Sequence, residues 1–348
     1  MYNHIPITMA GNLESRFDPE KLPPIVRKFH FKTFNHKAFK QGLELLKMTH
    51  GMSGLDGVGC VIDGDPGLGK SRCLDTYISN IYKLPRYQPT KELIKLPILK
   101  VIVPGKPTIN RVIEKLLYCA RHIGPSSNST DSAATKLYRL IELQLVEMII
   151  FDEFQHFLRK YALCTTDDVV TFIKVLVDDF KLAVVFSGKP EGSEVLKKFE
   201  EIEQRVGFGK VTFKAFNTDN EANYKEYIAY IKAMESALIE VGAKVCPLST
   251  VDMLPRLLLA MQGNLRLLNR FFIRLLMMYQ DKIYISKEKM SQLFAIWPKG
   301  SFLHPFDPFL APPEAVAAKY VEYRKSLKVK NEKSKYKLGT RMAGREVD

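Results

Sequence analysis

The chain has 348 residues, 46% of them hydrophobic, which is enough to bury a substantial core and predicts one large domain with a smaller one beside it. Its five cysteines (Cys60, Cys73, Cys119, Cys164, Cys246) are scattered, odd in number and without C-x-x-C or histidine partners at metal spacing, so they read as reduced core thiols rather than a disulfide or zinc framework. The formal charge is +14, no apolar h-region opens the chain and no apolar run approaches the ~18 residues of a membrane span, so the expectation is a soluble cytoplasmic protein with no membrane partner.

Residues 1–35, containing KLPPIVRKFHF, read as an extended N-terminal arm. A helix is predicted from His36 to about Thr49, and the short apolar run Gly59–Cys60–Val61–Ile62 predicts a buried strand. GDPGLGKS follows, in which Gly64, Gly67, Gly69, Lys70 and Ser71 fill G-x-x-x-x-G-K-[ST]; from Cys73 to Tyr82 the apolar spacing is helical. A strand, a glycine loop and a helix set free N–H groups and the positive helix end against phosphates. Gly64, Asp65, Pro66, Gly67, Leu68, Gly69, Lys70, Ser71 and Arg72 are therefore candidate nucleotide-binding residues. Ile98 to Val103 predicts a second strand ending at PGKPT, and a helix is expected from Thr108 to His122. A polar loop, GPSSNSTDSAATK, precedes a helix from Thr135 to about Leu143.

Further strands are predicted at Glu147–Phe151, Leu182–Phe186 and Val211–Phe213, with an amphipathic segment from Asp168 to Asp179. From Thr218 to about Ile296 only helical patterns occur. The order predicts an α/β core with a parallel sheet flanked by helices, followed by a small all-helical lid. The expected division is an arm at 1–35, a nucleotide-binding domain at 36–216, a lid at 217–296, and a C-terminal extension with a basic tail at 297–348. Between Lys319 and Arg345 ten basic residues face only Glu322 and Glu332; the first half of this stretch is compatible with a helix, and NEKSKYKLGTRMAGREVD is too polar to bury itself.

EMIIFDEFQHF decides the type of P-loop. Apolar Met148–Phe151 predict a buried strand carrying Asp152 and Glu153 at its C-terminal edge, where Asp152 holds a Mg²⁺ shell with Ser71 and Glu153 polarises the attacking water. No N-K-x-D guanine signature occurs, so the expected cofactors are ATP and Mg²⁺.

GDPGLGKS, IIFDEFQHF, VVFSGKPE and GNLRLLNRFF, in this order over about residues 36 to 296, resemble the TniB/TnsC family of AAA+ transposition regulators. DEFQHF followed by SGKPE is the most telling pair. The resemblance implies an AAA+ core, ATP-dependent assembly on double-stranded DNA as a homo-oligomeric ring or helical filament of six or seven subunits per turn, and relay of a site chosen by a target-selector protein to a transposase. It implies that Lys70 meets the β- and γ-phosphates. Ser187 takes the sensor-1 place or is a satisfied strand-end serine, and Arg205 stands where an arginine finger reaches a neighbouring subunit. Arg266 is the sensor-2 candidate, with Arg270 its rival one turn on. Lys106, Thr108 and Lys136 lie in loops that the family turns toward DNA, or are ordinary solvated residues. The match departs at Lys189, where the family often has Thr before Pro. The tail, punctuated by Tyr336, Leu338 and Met342, is a candidate hook for the transposase or a nonspecific DNA contact. A helicase or helicase loader, and a nucleotide-bound scaffold without turnover, compete with this reading; the intact Glu153 argues against the scaffold.

Overall fold

The computed structural model describes residues 22–55, 58–88, 95–120, 132–157, 166–192, 207, 209–218, 220–279, 284–297 and 305–326. The chain divides into two compact units. Among the described residues, one unit contains those between 35 and 214, and the other joins those before 35 to those after 214.

The first unit is built on a five-stranded parallel sheet. Its helices and strands begin, after α1 (Pro24–His30), with α2 (Lys37–Gly51), β1 (Gly59–Gly64) and α3 (Lys70–Tyr82). They continue with β2 (Ile98–Ile102), α4 (Ile109–Cys119), α5 (Ala133–Leu143) and β3 (Met148–Asp152), then α6 (Thr166–Lys174), β4 (Ala183–Gly188) and β5 (Lys210–Phe213). Every residue of β3 and β4 is buried, as expected of strands covered on both faces, which read as continuous apolar runs rather than alternating ones. Helix starts are set locally: Thr108 Oγ1 accepts from Arg111 N at 3.1 Å and Ser132 Oγ from Thr135 N at 3.2 Å, satisfying donors that the first turn leaves free. The amphipathic segment expected from Asp168 to Asp179 is α6 followed by a π-helical turn, Val175–Asp179.

The strand order is β2-β3-β4-β1-β5. The late strand β4 pairs with β1 on one side and β3 on the other, with Ile62 opposite Ser187 and Phe151 opposite Phe186. The glycine loop after β1 and the acidic pair after β3 therefore lie at the same sheet edge, one strand apart, and Ser187 at the end of β4 stands between them.

The second unit contains α1, α7 (Glu221–Glu240), β6 (Lys244–Val245), α8 (Met253–Met261), α9 (Leu265–Tyr279), β7 (Tyr284–Ile285), α10 (Lys287–Ala295) and a helix at 313–326, here α11. Two readings are corrected. The segment predicted as extended before residue 36 contains α1, whose Ile25, Val26 and Phe29 lie at 3%, 1% and 0% exposure in the same core as Phe271, Phe272 and Leu275. Proline at its first turn favours that start. The lid region also contains strands, because β6 and β7 pair in parallel; at two residues each they are too short to show an alternating pattern.

Arg256, 4% exposed, holds this second core to the segment that follows it. Its guanidinium donates to the carbonyls of Pro308, Phe309 and Ala311 at 2.7, 3.2 and 2.7 Å and pairs with Asp252 at 2.7 Å. The hydrogen bond from Arg256, aided by Lys287, holds the Asp252 carboxyl below the usual range. Arg256→Leu is expected to lower unfolding stability by about 3 kcal/mol, since it leaves three carbonyls without their donor and Asp252 with Lys287 as its remaining cation. Fluorescence of Trp297, which packs edge-on to Phe271 at 5.3 Å, reports the unfolding midpoint, and an unchanged midpoint would show that the network carries no stability.

Among the described residues no helix is long and apolar enough to cross a membrane. Cys60, Cys73, Cys119 and Cys246 are free, and burial pushes the first three thiols up to about 12, so they remain protonated and unreactive. Cys164 lies outside the described residues.

Candidate nucleotide-binding site

The loop from Gly64 to Gly69 turns the chain from β1 into α3. A side chain at Gly64 would place its Cβ 2.2 Å from the carbonyl oxygen of Phe213, at the end of β5, so the loop can start there only without one. Gly69 takes φ 100° immediately before α3, which leaves the first amides of the helix without intrahelical partners. Leu68 is buried at 1% exposure and anchors the loop, whereas Asp65, Pro66, Ser71 and Arg72 are exposed along it. Lys70 is 8% exposed, and its Nζ donates to the carbonyls of Gly64 and, at 2.9 Å, Asp65. An ammonium braced by two backbone carbonyls of the loop, next to the unpaired first amides of α3, is suited to a polyphosphate.

His36, just before α2, supports the loop from within. Its ring packs edge-on to Phe213 at 5.4 Å, and a Cβ on Gly69 would stand 3.7 Å from its Nε2. Burial lowers its pKa to about 4 despite a hydrogen bond with the Leu68 backbone, so the imidazole is neutral at physiological pH and props the loop by packing and by that bond. No pattern in the sequence marks it for this role.

The acidic pair is pinned by its flanking aromatics. Phe151 and Phe154 are buried against Phe186, with ring centroids 6.1 and 4.5 Å away. Asp152, 5% exposed, accepts from Ser187 Oγ at 2.9 Å and from Ser71 Oγ at 3.3 Å. The expected partnership of Ser71 and Asp152 is thus brought together, and Ser187 meets Asp152 directly. A hydroxyl and a carboxylate at this separation are hard oxygen donors that fit a Mg²⁺ ion retaining waters and phosphate oxygens. Lys100 on β2 was not foreseen: its Nζ lies 2.7 Å from Asp75 on α3 and 3.6 Å from Asp152 Oδ2. The available signal was a charged residue inside an otherwise apolar strand, ILKVI.

Glu153 has φ 59° and ψ 36°, a left-handed backbone that a non-glycine residue adopts at a cost of about 1–3 kcal/mol. Strain of this kind collects at functional positions. Gln155, 6% exposed, donates from Nε2 to Glu153 Oε2 at 2.5 Å, and its Oε1 accepts from the backbone N–H of Lys189 at 3.0 Å. His156 Nδ1 bonds the carbonyl of Val103, just past β2, at 2.8 Å.

A family model described as the bacterial TniB protein matches residues 31–217, more than half of the chain. The chain belongs to the TniB family. The QH pair of this TniB-family chain thus bonds to the ends of both strands that flank β3. No curated protein matches its sequence. Its fold is similar to that of the Aeropyrum pernix ORC2 protein in ADPNP and ADP complexes, at 14% identity over 80% of this chain and 73% of that one, with TM-score 0.55. It is similar also to Cdc6p from Pyrobaculum aerophilum (14% identity, 76% and 69% covered, TM-score 0.53). A third similar structure is Drosophila ORC bound to DNA (12% identity, 87% and 71% covered, TM-score 0.52). The TniB chain accordingly has the AAA+ fold, a P-loop α/β unit with a C-terminal helical region.

Other predicted residues fall in three groups. Arg205 lies outside the described residues. Arg266 and Arg270 are exposed on α9, at whose start Asn264 Oδ1 accepts from the amides of Arg266 and Leu267 at 3.0 and 3.2 Å. Lys106 is exposed in the loop before α4 and Lys136 is half-buried in the first turn of α5, which packs on α4. Thr108 Oγ1 serves as the acceptor cap of α4, a role that leaves its own hydroxyl proton for another partner.

Proposed function

We propose that this chain is a Mg²⁺-dependent, ATP-hydrolysing AAA+ transposition regulator of the cytoplasm. It assembles on duplex DNA as a ring or helical filament of six or seven subunits per turn and links a target selector to a transposase. The observation that carries the chemistry is the cluster at one sheet edge: Lys70 on the loop, Ser71 and Ser187 on the two oxygens of Asp152, and Glu153 beside them. Membership in the TniB family supports the transposition role. Similarity to an ORC structure bound to DNA, and to the Aeropyrum pernix ORC1 protein in complex with DNA (14% identity, TM-score 0.50), is consistent with a DNA-associated fold.

In this reading Lys70 and the first amides of α3 bind the β- and γ-phosphates. Ser71 and Asp152 hold Mg²⁺, which when bound neutralises phosphate charge. Glu153 orients the attacking water, and Ser187 fixes the rotamer of Asp152. Arg205 completes the site of a neighbouring subunit, Arg266 senses the nucleotide from the lid, and the basic tail engages the transposase.

Lys106, Thr108 and Lys136 contact the DNA backbone. Wild-type protein is expected to coat duplex DNA only with ATP or a slowly hydrolysed analogue, visible by negative-stain imaging. Each phosphate neutralised adds about −0.9 to the log–log salt slope. Lys106→Ala/Lys136→Ala protein should therefore bind with a slope shallower by about 2 per subunit engaged. An unaltered slope would remove these loops from the interface, and coating that ignores ATP would reject the proposed function.

A further inference from the structure

We infer that Gln155 is a positioning residue: its side-chain amide holds the Glu153 carboxylate in its working place and ties it to the segment that follows β4. The inference deepens the ATPase reading of this site and rests on it.

The orientation of the amide is fixed by chemistry. A backbone N–H can only donate, so the atom 3.0 Å from Lys189 N must be the acceptor Oε1, and Nε2 must face Glu153 Oε2. One short side chain therefore bridges the residue after β3 and the residue after β4. Glu153 Oε1 makes no hydrogen bond among the described residues, and it is the oxygen left to orient water.

The slot for this bridge is shaped by two glycines. A Cβ at Gly188 would come 2.1 Å from Gln155 Oε1, and one at Gly192 would come 3.1 Å from Gln155 Cβ. Val61, Asp63, Phe186 and Ser187 line the same small, half-open cleft together with Gln155 and the two glycines. This gives DEFQH and SGKPE a shared physical reason: the glycine of the second motif makes room for the glutamine of the first. It also settles why Lys189 is compatible with the slot, since the contact uses its backbone and not its side chain.

A carboxylate on a left-handed backbone has no neighbouring strand to steady it. The Gln155 amide supplies that support from a buried side chain, and misplacement of a catalytic group by about 1 Å costs up to ~10²-fold in rate. The local geometry of the Lys189 segment is thereby communicated to Glu153 through two hydrogen bonds.

Three variants of the full chain test this. Gln155→Glu keeps the shape and the acceptor for Lys189 N–H but replaces the donor facing Glu153 with a like charge. Its turnover is expected to fall ~10- to 100-fold while affinity for a slowly hydrolysed ATP analogue stays within about threefold. Hydrogen exchange at the Lys189 amide, read without nucleotide, should remain slow in Gln155→Glu and speed up in Gln155→Ala. Gly188→Ala, which leaves Gln155 in the sequence but fills its slot, should reproduce the loss of turnover.

In a Glu153→Gln background, Gln155→Glu should cost nothing further, because residues that act as a unit are not additive. Turnover in Gln155→Glu equal to wild type would overturn the inference while leaving the ATPase reading intact. So would an undiminished extra loss in the Glu153→Gln background, or Lys189 exchange indifferent to Gln155→Ala. Absence of turnover in the wild type would instead sink the ATPase reading itself.

Discussion

Lys70→Ala protein is expected to lose ATP binding, with Kd rising at least ~100-fold, close to 3 kcal/mol. Two effects add. The ammonium is the only side-chain cation inside the loop as the motif assigns it, and charge-assisted bonds to phosphate are roughly twice as strong as neutral ones. Lys70 Nζ also donates to the Gly64 and Asp65 carbonyls, so alanine removes a brace that gathers the loop into its anion-binding shape. Titration with a fluorescent ATP analogue measures the change, and assembly on DNA should vanish with it. A Kd within threefold of wild type would mean that the phosphates do not lie against Lys70.

Glu153→Gln should separate binding from chemistry. Glutamine adopts the same left-handed backbone at the same cost and nearly fills the same volume, so the site keeps its shape. What it loses is the base that draws a proton from water, a contribution of about 10²- to 10⁴-fold. Turnover is expected to fall at least ~10²-fold with ATP affinity preserved, and ATP-dependent assembly on DNA should persist longer than in wild type. Steady-state phosphate release, measured beside nucleotide affinity, decides it; unchanged release would assign the base elsewhere.

The residues that could be read from the chain are those whose chemistry is local. GDPGLGKS and FDEF announce a loop and an acidic pair by residue type and spacing alone, and Thr108 and Asn264 sit at helix starts as their side chains favour. What escaped depends on strand order. Lys100 lies near Asp152 only because β2 and β3 are neighbours with Lys100 opposite Ile150, a pairing that no nearby sequence encodes. His36 reaches the loop through a packing contact with β5, far along the chain. DEFQH and SGKPE could be noticed as a pair, but the bond between Gln155 and Lys189 that explains it requires both strands in place. The β6–β7 ribbon was lost to its length, and α1 was misread because a seven-residue amphipathic segment beside two prolines has too few turns to declare a period.

That first helix also sets a timetable. Ile25, Val26 and Phe29 emerge from the ribosome early, yet the residues that bury them begin only at Phe216, after the whole nucleotide-binding sheet has been made. At ~5–20 residues per second the wait is roughly ten to forty seconds, during which three large apolar side chains have no native place to go. The nucleotide-binding unit can close as it is synthesised, whereas the helical unit must recover a strand of chain laid down before it and so folds last. A nascent chain that has released β5 from the ribosome but not yet the helices from α7 onward would therefore present a folded nucleotide-binding unit with an exposed apolar helix, the form of this protein most in need of a chaperone.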